Sequence, residues 1–91
     1  MYKVKLLKWA EKNLIETFNY ISLDNPYYVK IVLDEIKKSV DYLKEYPFLW
    51  REIEDWVRQL VEAKYKFKII YKVTGPIVSV IAIFKNKNSW E

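Results

Sequence analysis

The residues of this chain that could do chemistry are mostly cations. Lys64, Lys66, Lys68 and Lys72 recur at even positions, interrupted by Ile70, and Arg58, Lys85 and Lys87 lie in the flanking stretches. A row of ammonium groups can hold phosphates or carboxylates and can stabilise an anion that develops during a reaction. The carboxylates offer no comparable pattern. Glu52, Glu54 and Asp55 fall in one connecting segment, at no spacing that would enclose a metal ion. With no cysteine and no histidine, the chain has no thiolate nucleophile, Cys-type zinc site or imidazole base. Neither a metal nor a cofactor is expected.

The element that must position the lysines is the stretch Lys64–Val73. Read with period two, Tyr65, Phe67, Ile69, Tyr71 and Val73 share one side, and Lys64, Lys66, Lys68 and Lys72 share the other. This pattern predicts a central strand with one face in the core and the other open enough to keep its lysines hydrated. A net charge of +4 and a pI near 9.2 favour an anionic partner, either nucleic acid or an acidic protein.

Ninety-one residues, 52% of them hydrophobic, suit one domain (1–91) that closes a core without disulfides. Lys3 and Lys5 alternate with Val4 and Leu6, which reads as a first strand. Leu14, Ile15, Phe18 and Ile21 recur at helical spacing from Ala10 to about Ser22. Asn25 as cap and Pro26 as first helical residue open a second helix. Its stripe is Val29, Val32, Leu33, Ile36, Val40 and Leu43, and Pro47 stops it after about Tyr46. Ion pairs of Asp34 with Lys30 and Lys38 are expected on its outer side.

Phe48–Asp55 has no assignable form, although Phe48, Leu49 and Trp50 are too apolar to stand in water. Trp56–Glu62 reads as a second strand, followed by the lysine-rich third. A turn at Thr74, Gly75 and Pro76 then leads to a fourth, Ile77 to about Lys85. Val78, Val80, Ala82 and Phe84 are expected on one side of it, and Ile77, Ile81 and Ile83 on the other. Trp9, Trp50 and Trp56 are expected in packing roles, and Arg58 in an ion pair with Glu62 or Asp55. A single glycine suggests few positions with positive φ. The expected fold is α+β in two layers, β-α-α-β-β-β, with a helical hairpin on one face of an antiparallel four-stranded sheet. No run is long enough to span a bilayer as a helix, so a soluble, cytoplasmic protein with no membrane partner is expected.

Ala10, Glu11, Lys12, Asn13, Leu14, Tyr20 and Ile21 in the first helix open a pattern that resembles the ParE/RelE toxin superfamily. Asp24, Asn25, Pro26, Val32, Ile36, Leu43, Tyr46 and Pro47 match the second. Arg51, Arg58 and Leu60, then Phe67, Tyr71, Lys72 and Val73, then Lys85 and Lys87, follow in the family's order. Asn13 stands where an aspartate is usual, and Trp50 where a glycine is.

The resemblance implies a toxin paired with an antitoxin, and its pattern favours the ParE branch, which poisons DNA gyrase. The alternative is the RelE branch, which cuts messenger RNA on the ribosome. A nuclease built from this chain would rely on Arg58, Lys66, Lys68 and Lys85, with Lys68 in place of a family arginine and Asn86 in place of another. Lysine lacks the bidentate fork of arginine, and a lysine base would need a strongly lowered pKa. A gyrase poison needs only a surface, for which Arg58, Lys64, Lys66, Lys68, Lys85, Lys87 and Trp90 are the candidates. A third alternative is an inactive homologue that only sequesters antitoxin. The implied antitoxin would anchor on Tyr27, Tyr28 and Tyr42, in a hetero-oligomer or beside a toxin homodimer.

Overall fold

The computed structural model describes residues 2–85; Lys87 and Trp90 lie outside the described residues. Seven elements follow one another: β1 (Lys3–Leu6), α1 (Lys8–Asp24), α2 (Pro26–Leu43), β2 (Arg51–Glu54), β3 (Val57–Val61), β4 (Phe67–Thr74) and β5 (Ile77–Lys85). They form one five-stranded sheet in the order β1-β5-β4-β3-β2. The α+β class and the helical hairpin are as the sequence predicts, and β4 is the central strand. Two features of the sheet differ from that expectation.

The sheet has a fifth strand, and it is mixed rather than antiparallel. β2 arises inside the unassigned segment, pairing Arg51 with Gln59 and Glu52 with Arg58. Its only apolar side chain is Ile53, so no alternation marks it as a strand. Three hairpins make β2, β3, β4 and β5 alternate in direction, and β1 lies parallel to β5 with Lys3 opposite Ile77 and Leu6 opposite Val80. The helical hairpin carries the chain from β1 at one edge of the sheet to β2 at the other, and three hairpins then return it to β5 beside β1.

Asn25 accepts the Tyr27 N–H at 3.1 Å and Pro26 sits at the first helical position, which fixes the start of α2. Val32, Ile36 and Leu43 are buried along one stripe, each contributing about 1.5–3 kcal/mol by leaving water. The helix ends at Leu43, and a turn carries the chain through Tyr46 to Pro47. Glu35 pairs with Lys38 at 3.7 Å and Asp41 with Lys44 at 3.4 Å, whereas among the described residues the expected pairs of Asp34 with Lys30 and Lys38 do not form.

α1 begins two residues earlier than expected, at Lys8, so Trp9 lies on the helix and is exposed under the Lys12 ammonium. Ile15, counted in the apolar stripe, is also exposed. Phe48, Leu49 and Trp56 are exposed as well, whereas Trp50 is half-buried. Phe48 is kept by an edge contact to Tyr2 and by the Arg58 guanidinium. Only Trp50 of the three tryptophans expected to pack does so.

The main core joins Val32, Ile36 and Leu43 to Leu60, Phe67, Ile69, Tyr71, Val78, Val80 and Ile83. The predicted core face of the central strand is therefore correct from Tyr65 to Val73. The end of β5 departs from the predicted parity. Ile70 pairs with Ala82 but Tyr71 pairs with Val80, so Ile81 is an extra residue. This bulge turns Ile83 into the main core and puts Ala82 and Phe84 with Ile70 in a second cluster on the helix-free face.

Beyond the bulge, the Ile83 N–H faces α1 and donates to Asn13 Oδ1 at 3.0 Å. Replacing Asn13 with alanine orphans this part-buried donor and should cost about 1–3 kcal/mol. Asn13→Asp keeps the acceptor and should cost much less. Chemical denaturation of both variants checks this, and equal losses would contradict the assigned role.

Candidate functional site

Three connections bend the chain between strands, and each contains one left-handed residue: Trp56 at φ 64°, Lys66 at 65° and Gly75 at 57°. Only the last is glycine, so the glycine count understated how many such positions exist. The connection at 62–66 takes Lys64 and Lys66 off β4, and the predicted lysine row shortens to Lys68 and Lys72. Alternation had run on through a turn. Its organiser is Glu62, which is buried at 3% exposure. Glu62 Oε2 accepts the Lys64 N–H at 2.6 Å and Oε1 accepts the Tyr65 N–H at 2.8 Å.

Arg58 has a different occupation from the one expected. Its Nη1 donates to the Trp50 carbonyl at 2.7 Å and to the Phe48 carbonyl at 3.4 Å. Its ion pair is with Glu52, not Glu62 or Asp55, and at 3.9 Å it is the weaker interaction. The guanidinium thus clamps the segment before β2 to β3. Tyr71 sits opposite Arg58 across β3 and β4 and donates to the Pro47 carbonyl at 2.6 Å. Burial pushes the Tyr71 hydroxyl up to about 12, against a smaller lowering by Arg58.

The residues proposed for phosphate chemistry divide between two faces of the sheet and a turn. Arg58 lies on the helix-facing side of the sheet, and Lys68 pairs with Val61 and Phe84 on the other side. Lys66 is in the turn, and Lys85 ends β5 with its ammonium 5.9 Å from the Phe67 ring centre. Lys64 lies over the Tyr65 ring. Glu52, from the acidic segment, serves as acceptor for the Trp56 N–H and for Arg58. Among the described residues no group of three or more Asp and Glu side chains could hold a metal ion.

The apolar surface lies elsewhere. Around the turn between α1 and α2, Leu23 is 88% exposed, Tyr27 84% and Tyr20 78%. Tyr28 and Tyr42 are also exposed but lean on Tyr65 and Trp50 respectively. Alongside α1, and sharing Tyr20 with this surface, an open cleft of about 490 Å³ is lined by Trp9, Asn13, Phe67, Phe84 and Lys85 among others. Sequence reasoning expected Trp9 to pack, used Tyr20 only for the resemblance and passed over Leu23, and all three are exposed. Large apolar residues off a stripe were the available signal.

This arrangement of a helical hairpin on a sheet is shared with a known class of protein. A solved structure described as "Chromosomal ParDE TA system from P. aeruginosa" superimposes with a TM-score of 0.82. It is 20% identical and covers 96% of this chain and 98% of its own. No curated protein sequence matches. The profile of the family described as "ParE toxin of type II toxin-antitoxin system, parDE" matches residues 4–90. The chain belongs to that family, as the resemblance implied, and is a ParE-type toxin of a type II toxin-antitoxin system.

Proposed function

We propose that the protein, a single toxin domain, acts in the cytoplasm as a non-catalytic poison of DNA gyrase. The observation that carries this reading is the dispersal of Arg58, Lys66, Lys68 and Lys85 over two faces and a turn. A nuclease must bring a proton acceptor, phosphate cations and a proton donor within reach of one phosphate. A poison has no such requirement. It acts by binding the enzyme with its DNA cleaved more tightly than the enzyme with its DNA resealed. Lys64, Lys66, Lys68 and Lys85 would supply contacts to acidic protein or exposed phosphate, together with Lys87 and Trp90. Arg58 would contribute indirectly, by fixing the segment before β2.

The antitoxin would cover the apolar surface of the helical hairpin, with Tyr27 as an anchor and Tyr28 and Tyr42 at its margins. Exposed Leu23 and Tyr20 supply further area for such a partner. The reading is tested by adding the purified chain to gyrase and supercoiled plasmid. Linear, protein-linked DNA should build up with dose and fall when antitoxin is added. Undiminished supercoiling activity at a large excess of the chain, alongside ribosome-dependent RNA cleavage, would favour the nuclease instead.

A further inference from the structure

The helix-free face of the sheet carries three lysines that none of the assigned roles uses, Lys3 and Lys5 on β1 and Lys72 on β4. The nearest acid in register is Glu54 of β2, which pairs with Val57, the neighbour of Lys72 on β3. Alternation sends Val4, Leu6, Val78, Val80, Tyr71 and Val73 to the main core. Their neighbours Lys3, Lys5, Ser79, Lys72 and Thr74 therefore share the opposite face.

The register makes this a compact group. Lys5 pairs with Ser79 and Ser79 with Lys72, so two ammonium groups flank one hydroxyl in a single row. The next row is Lys3, Ile77 and Thr74. Lys3, Lys5, Lys72 and Thr74 are exposed, and Ser79 is half-buried. No ion pair engages any of the three lysines among the described residues.

We propose that Lys3, Lys5 and Lys72, with the hydroxyls of Ser79 and Thr74, form a binding site for the phosphate backbone of duplex DNA. This goes beyond the gyrase reading and does not depend on it. Lysines two strands apart stand roughly 10 Å from each other at their bases. That lies between the widths of the minor and major grooves, about 6 and 12 Å, so flexible side chains reach phosphates on both sides of one groove. Lysine and hydroxyl donors are the usual partners of phosphate oxygens, and they position a duplex without reading its sequence. An acidic protein fits less well. Protein interfaces centre on desolvated aromatic or arginine anchors and are depleted in lysine, and this group contains neither anchor.

The test is fluorescence anisotropy with a labelled duplex of about 20 base pairs, at salt concentrations from about 50 to 200 mM. Two triple variants are compared: Lys3→Ala/Lys5→Ala/Lys72→Ala on the sheet, and Lys30→Ala/Lys37→Ala/Lys38→Ala on α2, which removes equal charge. Circular dichroism confirms that both fold. The sheet variant should bind at least about tenfold more weakly at low salt, and its salt slope should shrink by about 2–3, since each phosphate contact contributes about 0.9. The α2 variant should stay within about threefold of the parent. Equal losses in the two variants, or no duplex binding by the parent chain, would overturn the site. So would a parent chain that binds a polyglutamate peptide or a single strand of the same length as tightly as the duplex.

Discussion

Replacing Glu62 with alanine should lower the stability of the fold by about 2–4 kcal/mol, although Glu62 lies in a loop between β3 and β4. Its carboxylate is buried and each oxygen accepts one backbone N–H, from Lys64 and Tyr65. Hydrogen bonds to a charged group contribute about 1.5–3 kcal/mol each. The loss is reduced because the chain around Lys64 is exposed, and water can take over part of the bonding. The loop also closes through Glu62 N–H to the Phe67 carbonyl and Lys66 N–H to the Glu62 carbonyl. Without the side chain, the strained backbone of Lys66 loses the structure that holds it. For a chain of this size the expected fall in Tm is roughly 10–25 °C. Glu62→Gln replaces one acceptor with a donor and should lose about half as much. Calorimetry of the two variants checks this, and an alanine variant that melts with the parent would remove Glu62 from the account.

The second large effect concerns Tyr71 and alkaline pH. The folded protein holds this phenol protonated up to about 12, whereas an unfolded tyrosine ionises near 10. A raised folded-state value means that the stabilisation is complete below about pH 10 and is lost as pH rises toward about 12, where the unfolded chain binds fewer protons. Two units correspond to about 2–3 kcal/mol. Tyr71→Phe leaves the buried Pro47 carbonyl without its donor and should cost about 1–2 kcal/mol at neutral pH. The variant should then lose less stability than the parent between about pH 10 and 12. The two proteins differ only at this phenol, so the difference between their curves isolates Tyr71. Parallel stability curves across that range would contradict its burial as the cause.

Much of this fold is legible in the sequence because one apolar face was available to each long element. The alternation from Tyr65 to Val73 identified the core side of β4, and Asn25 with Pro26 marked the start of α2. Where a local pattern was absent or misleading, the reading failed. β2 has one apolar residue among charges and is recognised only by its pairing with β3. The bulge at Ile81 shifts the parity of β5 by one residue, and no residue type signals it. The lysine alternation continued through a turn, which left Lys68 and Lys72 on the strand and took Lys64 and Lys66 off it.

The candidate sites were less legible than the fold. Arg58 was expected beside a carboxylate of its own neighbourhood, but its nearest acceptors are carbonyls of Phe48 and Trp50, which carry no sequence signature. Glu62 was read as an ion-pair partner and proves to be a backbone acceptor. Tyr27, Tyr28 and Tyr42 are exposed as an antitoxin surface requires, yet the most exposed apolar residue of the hairpin, Leu23, drew no attention in the sequence.

The central claim is that this toxin works by preferential binding and not by catalysis. The direct measurement is its affinity for gyrase on DNA in two states, cleaved and resealed, by titration of labelled chain into each complex. The account predicts at least about tenfold tighter binding to the cleaved state, because a ligand shifts an equilibrium only by its differential affinity. Equal affinity for the two states would contradict it, however tight the binding.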